Sequence, residues 1–215
     1  VDLWEGRNEV IINDADPQID LDKARAYVRH ELALHRIINS EGIKGTLFQF
    51  SAGNPFTLDL WARILWEAPA LTGAPINLHA YSQPSMRSGA EWLTLRHRKV
   101  WELLPSQART SIIVSECGID GGIWVYGLPP PEPRVGWQGY SSAKDYVGQL
   151  RWFDAELAKD PYVKGAMVFN AGCLSPWESF EIAGLGGLAD YIKGNIPPLP
   201  LPANGGAVEG PGTTM

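Results

Sequence analysis

The stretch Ser111-Ile-Ile-Val-Ser-Glu116-Cys-Gly118 decides the fold. An apolar, β-branched run ends in a carboxylate, and a glycine just beyond frees the backbone. The chain opens on a similar segment, Val1-Asp-Leu-Trp-Glu-Gly-Arg-Asn-Glu9. Between and after these two come further apolar strands, each followed by an amphipathic helical pattern. A strand at Leu3–Glu9 leads to a helix over about Leu21–Asn39, with Ala24, Tyr27, Val28, Leu32 and Ile38 on one stripe. A strand at Gly45–Phe50 precedes a helix from Thr57 to Gly73 that turns Trp61, Leu65 and Ala68 inward. The strand Pro75–Tyr81 precedes a helix over about Gly89–Leu104, and Ser111–Ser115 is the fourth strand.

A long loop, Gly118–Tyr140, follows and holds Trp124, Tyr126, Trp137 and Tyr140 among many Gly and Pro. Loops of this length inside a compact domain are usually functional. Ser142 and Asp145 form a capping-box-like start to a helix that buries Tyr146, Leu150, Phe153 and Leu157. The fifth strand, Lys164–Asn170, and a short helix over about Leu185–Lys193 complete the pattern.

Strands alternating with helices imply a parallel sheet, and short apolar strands imply a sheet covered on both faces. No strand is followed by Gly-x-Gly-x-x-Gly, which disfavours a dinucleotide-binding sheet. The expectation is an α/β fold of the (β/α)8 TIM-barrel kind. All strand C-termini then lie on the face where such barrels do chemistry.

The composition is that of an ordinary globular protein of 215 residues, with formal net charge −6. The acidic balance argues against a nucleic-acid partner. No apolar run is long enough to span a bilayer. The basic cluster Arg96-His97-Arg98-Lys99 reads as a solvated helix face. The four histidines are dispersed, and His30 and His35, five apart, fall on different helix faces. No CxxC pair or Cys/His cluster points to a structural metal, and no cofactor is expected. Cys117 and Cys173 leave a disulfide open, although two buried thiols are the expectation. The nine tryptophans suit both sugar stacking and core packing. Val1 opens directly in a strand, and 195–215 is Pro-rich and then Gly-rich, as a linker would be. The expectation is a barrel portion over 1–194, a linker or tail over 195–215, and further domains in a longer parent.

Four places carry chemistry. Glu9, beside Asn8, sits where a barrel strand becomes a loop; it is either a proton donor or a polar strand end. Glu116 is either a nucleophile or the partner of a cation such as Arg7. His79 and Tyr81 share one strand face, either around a carboxylate or as packing at the barrel mouth. Trp177 is either a floor for a sugar ring or a core residue. Two carboxylates converging at strand ends are the minimum equipment for cleaving a glycosidic bond.

In order and spacing these motifs resemble glycoside hydrolase clan A, the retaining (β/α)8 glycosidases with glutamates after strands four and seven. Asn8-Glu9 matches the end of strand four, Gly45–Phe50 strand five, and His79-x-Tyr81 strand six. Ser115-Glu116-x-Gly118 matches strand seven, and Val168–Trp177 strand eight. The resemblance covers residues 1 to about 194. It implies Glu9 as acid/base, Glu116 as nucleophile, Tyr81 as its hydrogen-bond partner and Asn8 as a 2-hydroxyl ligand. It also implies a substrate contacted by His79, Trp124 and Trp177, with an oligo- or polysaccharide as partner at an extracellular or cell-surface location. The clan's usual Trp-Asn-Glu-Pro is here Arg7-Asn8-Glu9-Val10, and strands one to three are absent. That departure keeps a second expectation open, a catalytically inactive barrel that binds carbohydrate or cell-wall polysaccharide. A barrel lacking three strands exposes apolar edges, so the segment alone is expected to be poorly soluble or to self-associate.

Overall fold

The computed structural model describes residues 3–12, 14, 16–123, 135–172 and 174–194. Four strands form one parallel sheet in chain order: β1 (Leu47–Phe50), β2 (Ile76–Ser82), β3 (Ile112–Ile119) and β4 (Val163–Val168). Five α-helices accompany them among the described residues: α1 (Pro17–Ser40), α2 (Glu67–Thr72), α3 (His97–Leu103), α4 (Ala143–Leu157) and α5 (Leu188–Ile192). Parallel neighbours need crossovers too long for a hairpin, and the segments with α2, α3 and α4 supply them. The protein is therefore α/β, as its alternating pattern implies.

Local chemistry starts the two long helices. The Asp16 carboxylate accepts the Gln18 N–H at 2.8 Å, and Pro17 takes the first helical position, where no N–H is needed. Ser142 Oγ accepts the Asp145 N–H at 3.2 Å at the head of α4. Gly73, at φ 67°, closes α2 in the left-handed conformation.

The core has two parts. Tyr27 of α1 packs edge-on to Phe48 and Phe50 of β1, and both rings meet Trp61 edge-on. Such contacts add to the burial of large side chains, each worth about 1.5–3 kcal/mol. In the second part, Val114, Cys117 and Ile119 of β3 pack on Tyr146, Val147, Leu150 and Phe153 of α4. Trp137 stacks on Tyr146 with centroids 5.0 Å apart.

Several expectations need correction. Leu3–Glu9 is not a regular strand. It runs parallel beside β1 through a single bridge, Trp4 to Gly45, and through hydrogen bonds from Trp4 N to Lys44 O and from Glu9 N to Gln49 O. Gly6 and the turn at Arg7–Glu9 interrupt the extended backbone. β3 continues to Ile119, so Glu116 lies inside the strand rather than beyond its end. The helix expected over Gly89–Leu104 is regular only from His97. Upstream, Thr94 Oγ1 donates to Met86 O at 2.7 Å and the Arg96 guanidinium to Pro55 O, which favours turns over a helical ladder. The cluster 96–99 is not a solvated face. Arg96 and His97 are buried, and Arg98 is tied to Asp160 and Glu156. Cys117 is a buried free thiol, whereas Cys173 and Trp124 lie outside the described residues.

β4 ends the described sheet. β2 is buried throughout, but Lys164 to Met167 are exposed, with Met167 53% accessible.

Candidate active site

One face of β2 organises the site. Asn77, His79 and Tyr81 alternate along the strand, so their side chains share that face, and all three are buried. Each holds a carboxylate. Asn77 Nδ2 donates to Glu5 Oε1 at 2.8 Å. His79 Nδ1 lies 3.1 Å from Glu9 Oε1 and 3.5 Å from Glu116 Oε2. Tyr81 Oη donates to Glu116 Oε2 at 2.7 Å. With two carboxylate oxygens facing it, Nδ1 is assigned the imidazole proton.

A bulge aims Glu116. Leu78 pairs with Val114, but the next residue, His79, pairs with Glu116, so β3 carries one extra residue, Ser115. Val114 and Cys117 both point to the apolar layer beneath α4. Strict alternation would send Glu116 to the same side as Val114; the extra residue returns it to the face of His79 and Tyr81. The Ser115 N–H donates to Asn77 Oδ1 at 3.2 Å. Asn77 thus ties the bulge to Glu5.

Glu9 reaches the site differently. Its backbone is left-handed, at φ 50°, at the end of a turn, and its N–H donates to Gln49 O at 2.9 Å. Oxygens of Glu9 and Glu116 and a ring nitrogen of His79 lie within 4.8 Å of one another.

Burial raises the Glu116 carboxyl above its ordinary range, and the charges of Glu9 and Glu5 push the same way. The His79 ring and the Tyr81 hydrogen bond oppose that rise. Burial and then the Glu116 charge push the Tyr81 phenol far up, so it remains a donor. The Cys117 thiol is pushed up to about 12 by burial, then by Glu116, so it stays a thiol rather than a nucleophile. Two carboxylates and one imidazole are also a donor set able to ligate a divalent cation. Here Tyr81 Oη donates to one of those carboxylate oxygens and His79 Nδ1 lies against another.

An aromatic row leads away from the carboxylates. Tyr81 meets Phe169 edge-on with centroids 6.4 Å apart, and Phe169 meets Trp177 edge-on at 5.7 Å. Trp177 is half-buried and also packs on Phe180. Asn8 is exposed in the turn before Glu9. Glu9, Glu116, His79 and Tyr81 are therefore gathered in one place. Asn8 adjoins them along the chain, and Trp177 stands one ring away. An open cleft of about 860 Å³ lies between Ser85–Arg87 and α4, and its walls include neither glutamate.

Glu5 and Asn77 escape a reading of the sequence that looks only at strand ends. The available signal was Asn77 in the otherwise apolar run Ile76-Asn77-Leu78, in step with His79 and Tyr81. No protein-family model matches the chain, and neither the curated proteins nor the solved structures provide a match.

Proposed function

We propose that this chain is the C-terminal portion of a (β/α)8 retaining glycosidase. The observation that carries the reading is the approach of Glu9 and Glu116 oxygens within 4.8 Å, with Tyr81 bonded to Glu116 at 2.7 Å. Retaining glycosidases hold their carboxyl groups about 5–5.5 Å apart, and inverting ones leave about 6.5–9.5 Å for a water. The resemblance in motif order supports the same conclusion. A four-stranded parallel sheet with an additional bridged segment is compatible with part of a barrel.

In this mechanism Glu116 attacks the anomeric carbon while Glu9 protonates the departing oxygen, giving a glycosyl-enzyme ester and a free alcohol. Glu9, now ionised, removes a proton from water, which attacks the same carbon and releases Glu116. Tyr81 stabilises the ionised nucleophile. The burial that raises Glu116 works against that ionisation. Part of the opposing charge belongs to Glu9 and vanishes when Glu9 carries its catalytic proton. His79 Nδ1 faces both carboxylates and links their charges. Asn8 is the candidate ligand of a sugar hydroxyl, and Trp177 and Trp124 are candidate stacking surfaces.

The test is azide rescue in the natural full-length polypeptide. Glu9→Ala with azide is expected to give a glycosyl azide of retained configuration, and Glu116→Ala one of inverted configuration. Parental rates in both variants, without rescue, would remove the two glutamates from the chemistry. Polysaccharide binding without turnover would favour the inactive carbohydrate-binding barrel.

A further inference from the structure

Three non-glycine residues have left-handed backbones among the described residues, and they lie at one spot: Glu9 (φ 50°), Phe48 (φ 74°) and Gln49 (φ 20°). Such backbone persists in ordinary residues only where the surroundings hold it. Here Leu47 pairs with Ile76 and Phe50 with Leu78, so β1 carries one extra residue at Phe48–Gln49. The Gln49 carbonyl accepts the Glu9 N–H at 2.9 Å. The geometry of this bulge therefore sets the backbone of Glu9.

What holds the bulge comes from outside the site. Glu31, on the inner face of α1 and only 1% accessible, accepts the Phe48 N–H on Oε2 at 3.0 Å. Its helical neighbours Ala24, Tyr27 and Val28 are buried apolar residues, and an apolar side chain at 31 would suit that stripe. Only a polar acceptor can take the stray N–H. Its second oxygen, Oε1, and Gln49 Oε1 are both buried without a hydrogen-bond partner among the described residues. Both lie within 3.5 Å of the place a Cβ on Gly6 would occupy. Burial raises the Glu31 carboxyl, and the Phe48 N–H, the His30 charge and Tyr27 oppose the rise.

We infer that Glu31 is a positioning residue for Glu9: it captures the N–H freed by the β1 bulge and so fixes the carbonyl that seats the acid/base glutamate. The inference rests on the glycosidase reading. If Glu31 is lost, the Phe48 N–H is unsatisfied, the bulge relaxes and the Gln49 carbonyl moves. The cost then falls on proton donation to the leaving group, while nucleophilic attack by Glu116 is spared.

Glu31→Leu and Glu31→Gln in the natural full-length polypeptide test this. The probes are 2,4-dinitrophenyl β-glycosides, whose leaving group departs without a proton, and the matching phenyl β-glycosides, whose leaving group needs one. The panel covers the glucoside, galactoside, mannoside and xyloside. Glu31→Leu is expected to lower kcat/KM on the phenyl substrate on the order of 10²-fold, and on the dinitrophenyl substrate by no more than ~3-fold. Glu31→Gln, which keeps an acceptor, should stay near the parent on both. Amide exchange at Phe48 and Glu9 should quicken by about tenfold or more in Glu31→Leu relative to Glu31→Gln. Equal losses on the two substrates, or unchanged exchange, would overturn the role of Glu31 alone. A parent inactive on the whole panel would overturn the glycosidase reading, and this inference with it.

Discussion

Tyr81 and Glu116 sit on neighbouring strands and share a 2.7 Å hydrogen bond in which the phenol donates to Oε2. That bond favours the ionised carboxylate against the burial that disfavours it. Tyr81→Phe should therefore raise the Glu116 carboxyl further and move the acid limb of the kcat/KM profile to higher pH. Loss of one charge-assisted hydrogen bond predicts a fall of roughly 10–100-fold near neutrality. A rate profile in the natural polypeptide checks both; an unmoved acid limb would separate Tyr81 from Glu116.

Glu116 should weaken the fold it serves. Its carboxyl titrates above the ordinary 4.5, so the folded chain holds its proton more tightly than the unfolded chain. This contribution is present in full below 4.5 and is lost as pH rises through the raised value. Glu116→Gln removes that loss. By calorimetry, the variant should melt above the parent at pH 7, by roughly 2–4 °C for each kcal/mol recovered, and the advantage should vanish near pH 4. A pH-independent difference would contradict this.

Asn77 bears on both stability and site geometry. Asn77→Ala strands the Ser115 N–H and releases Glu5. A cost of about 2 kcal/mol or more is expected in urea unfolding, seen as a lower midpoint at unchanged slope.

Asp160 shows the opposite pH behaviour. Burial works against its ionisation, but hydrogen bonds from His97 Nε2 and Arg98 Nε, each at 2.8 Å, prevail and hold it below its ordinary 3.8. Its contribution is present above 3.8 and disappears as pH falls through the lowered value. Asp160→Ala should cost about 2–4 kcal/mol at pH 7 and markedly less near pH 2, measured by denaturant titration at each pH.

Residues 1–215 expressed alone should self-associate. β4 ends the described sheet with Lys164 to Met167 exposed and without the charge density or proline that guards natural edges. Sedimentation should show oligomers or aggregate. A monodisperse, cooperatively unfolding monomer would argue against a barrel that needs upstream strands.

The sequence made the broad pattern legible because that pattern is carried by periodicity. β2 and β3 announce themselves as apolar runs, α1 by its stripe, α4 by its stripe and cap, and His79 and Tyr81 by spacing of two. What stayed hidden depends on register. The bulges at Phe48–Gln49 and Ser115 bear no Gly or Pro, and a count of alternation from Val114 would place Glu116 on the wrong face. Glu31 reads as a polar break in an apolar stripe until a strayed N–H is found beneath it. Arg96 and His97 read as solvated because composition does not reveal that backbone carbonyls and Asp160 are waiting for them.

The single surplus residue in β3 acts as a parity setting for everything downstream. Flattening the bulge with Ser115 kept in register would leave both glutamates, the tyrosine and the histidine in the chain and the composition unchanged. Yet the strand beyond would exchange its two faces. Glu116 would turn into the apolar layer under α4 and Cys117 would turn toward His79. The carboxylate pair is thus specified by a frame as well as by residue identity. The cluster of Glu9, His79, Tyr81 and Glu116 can thus be dispersed without changing any of its four residues.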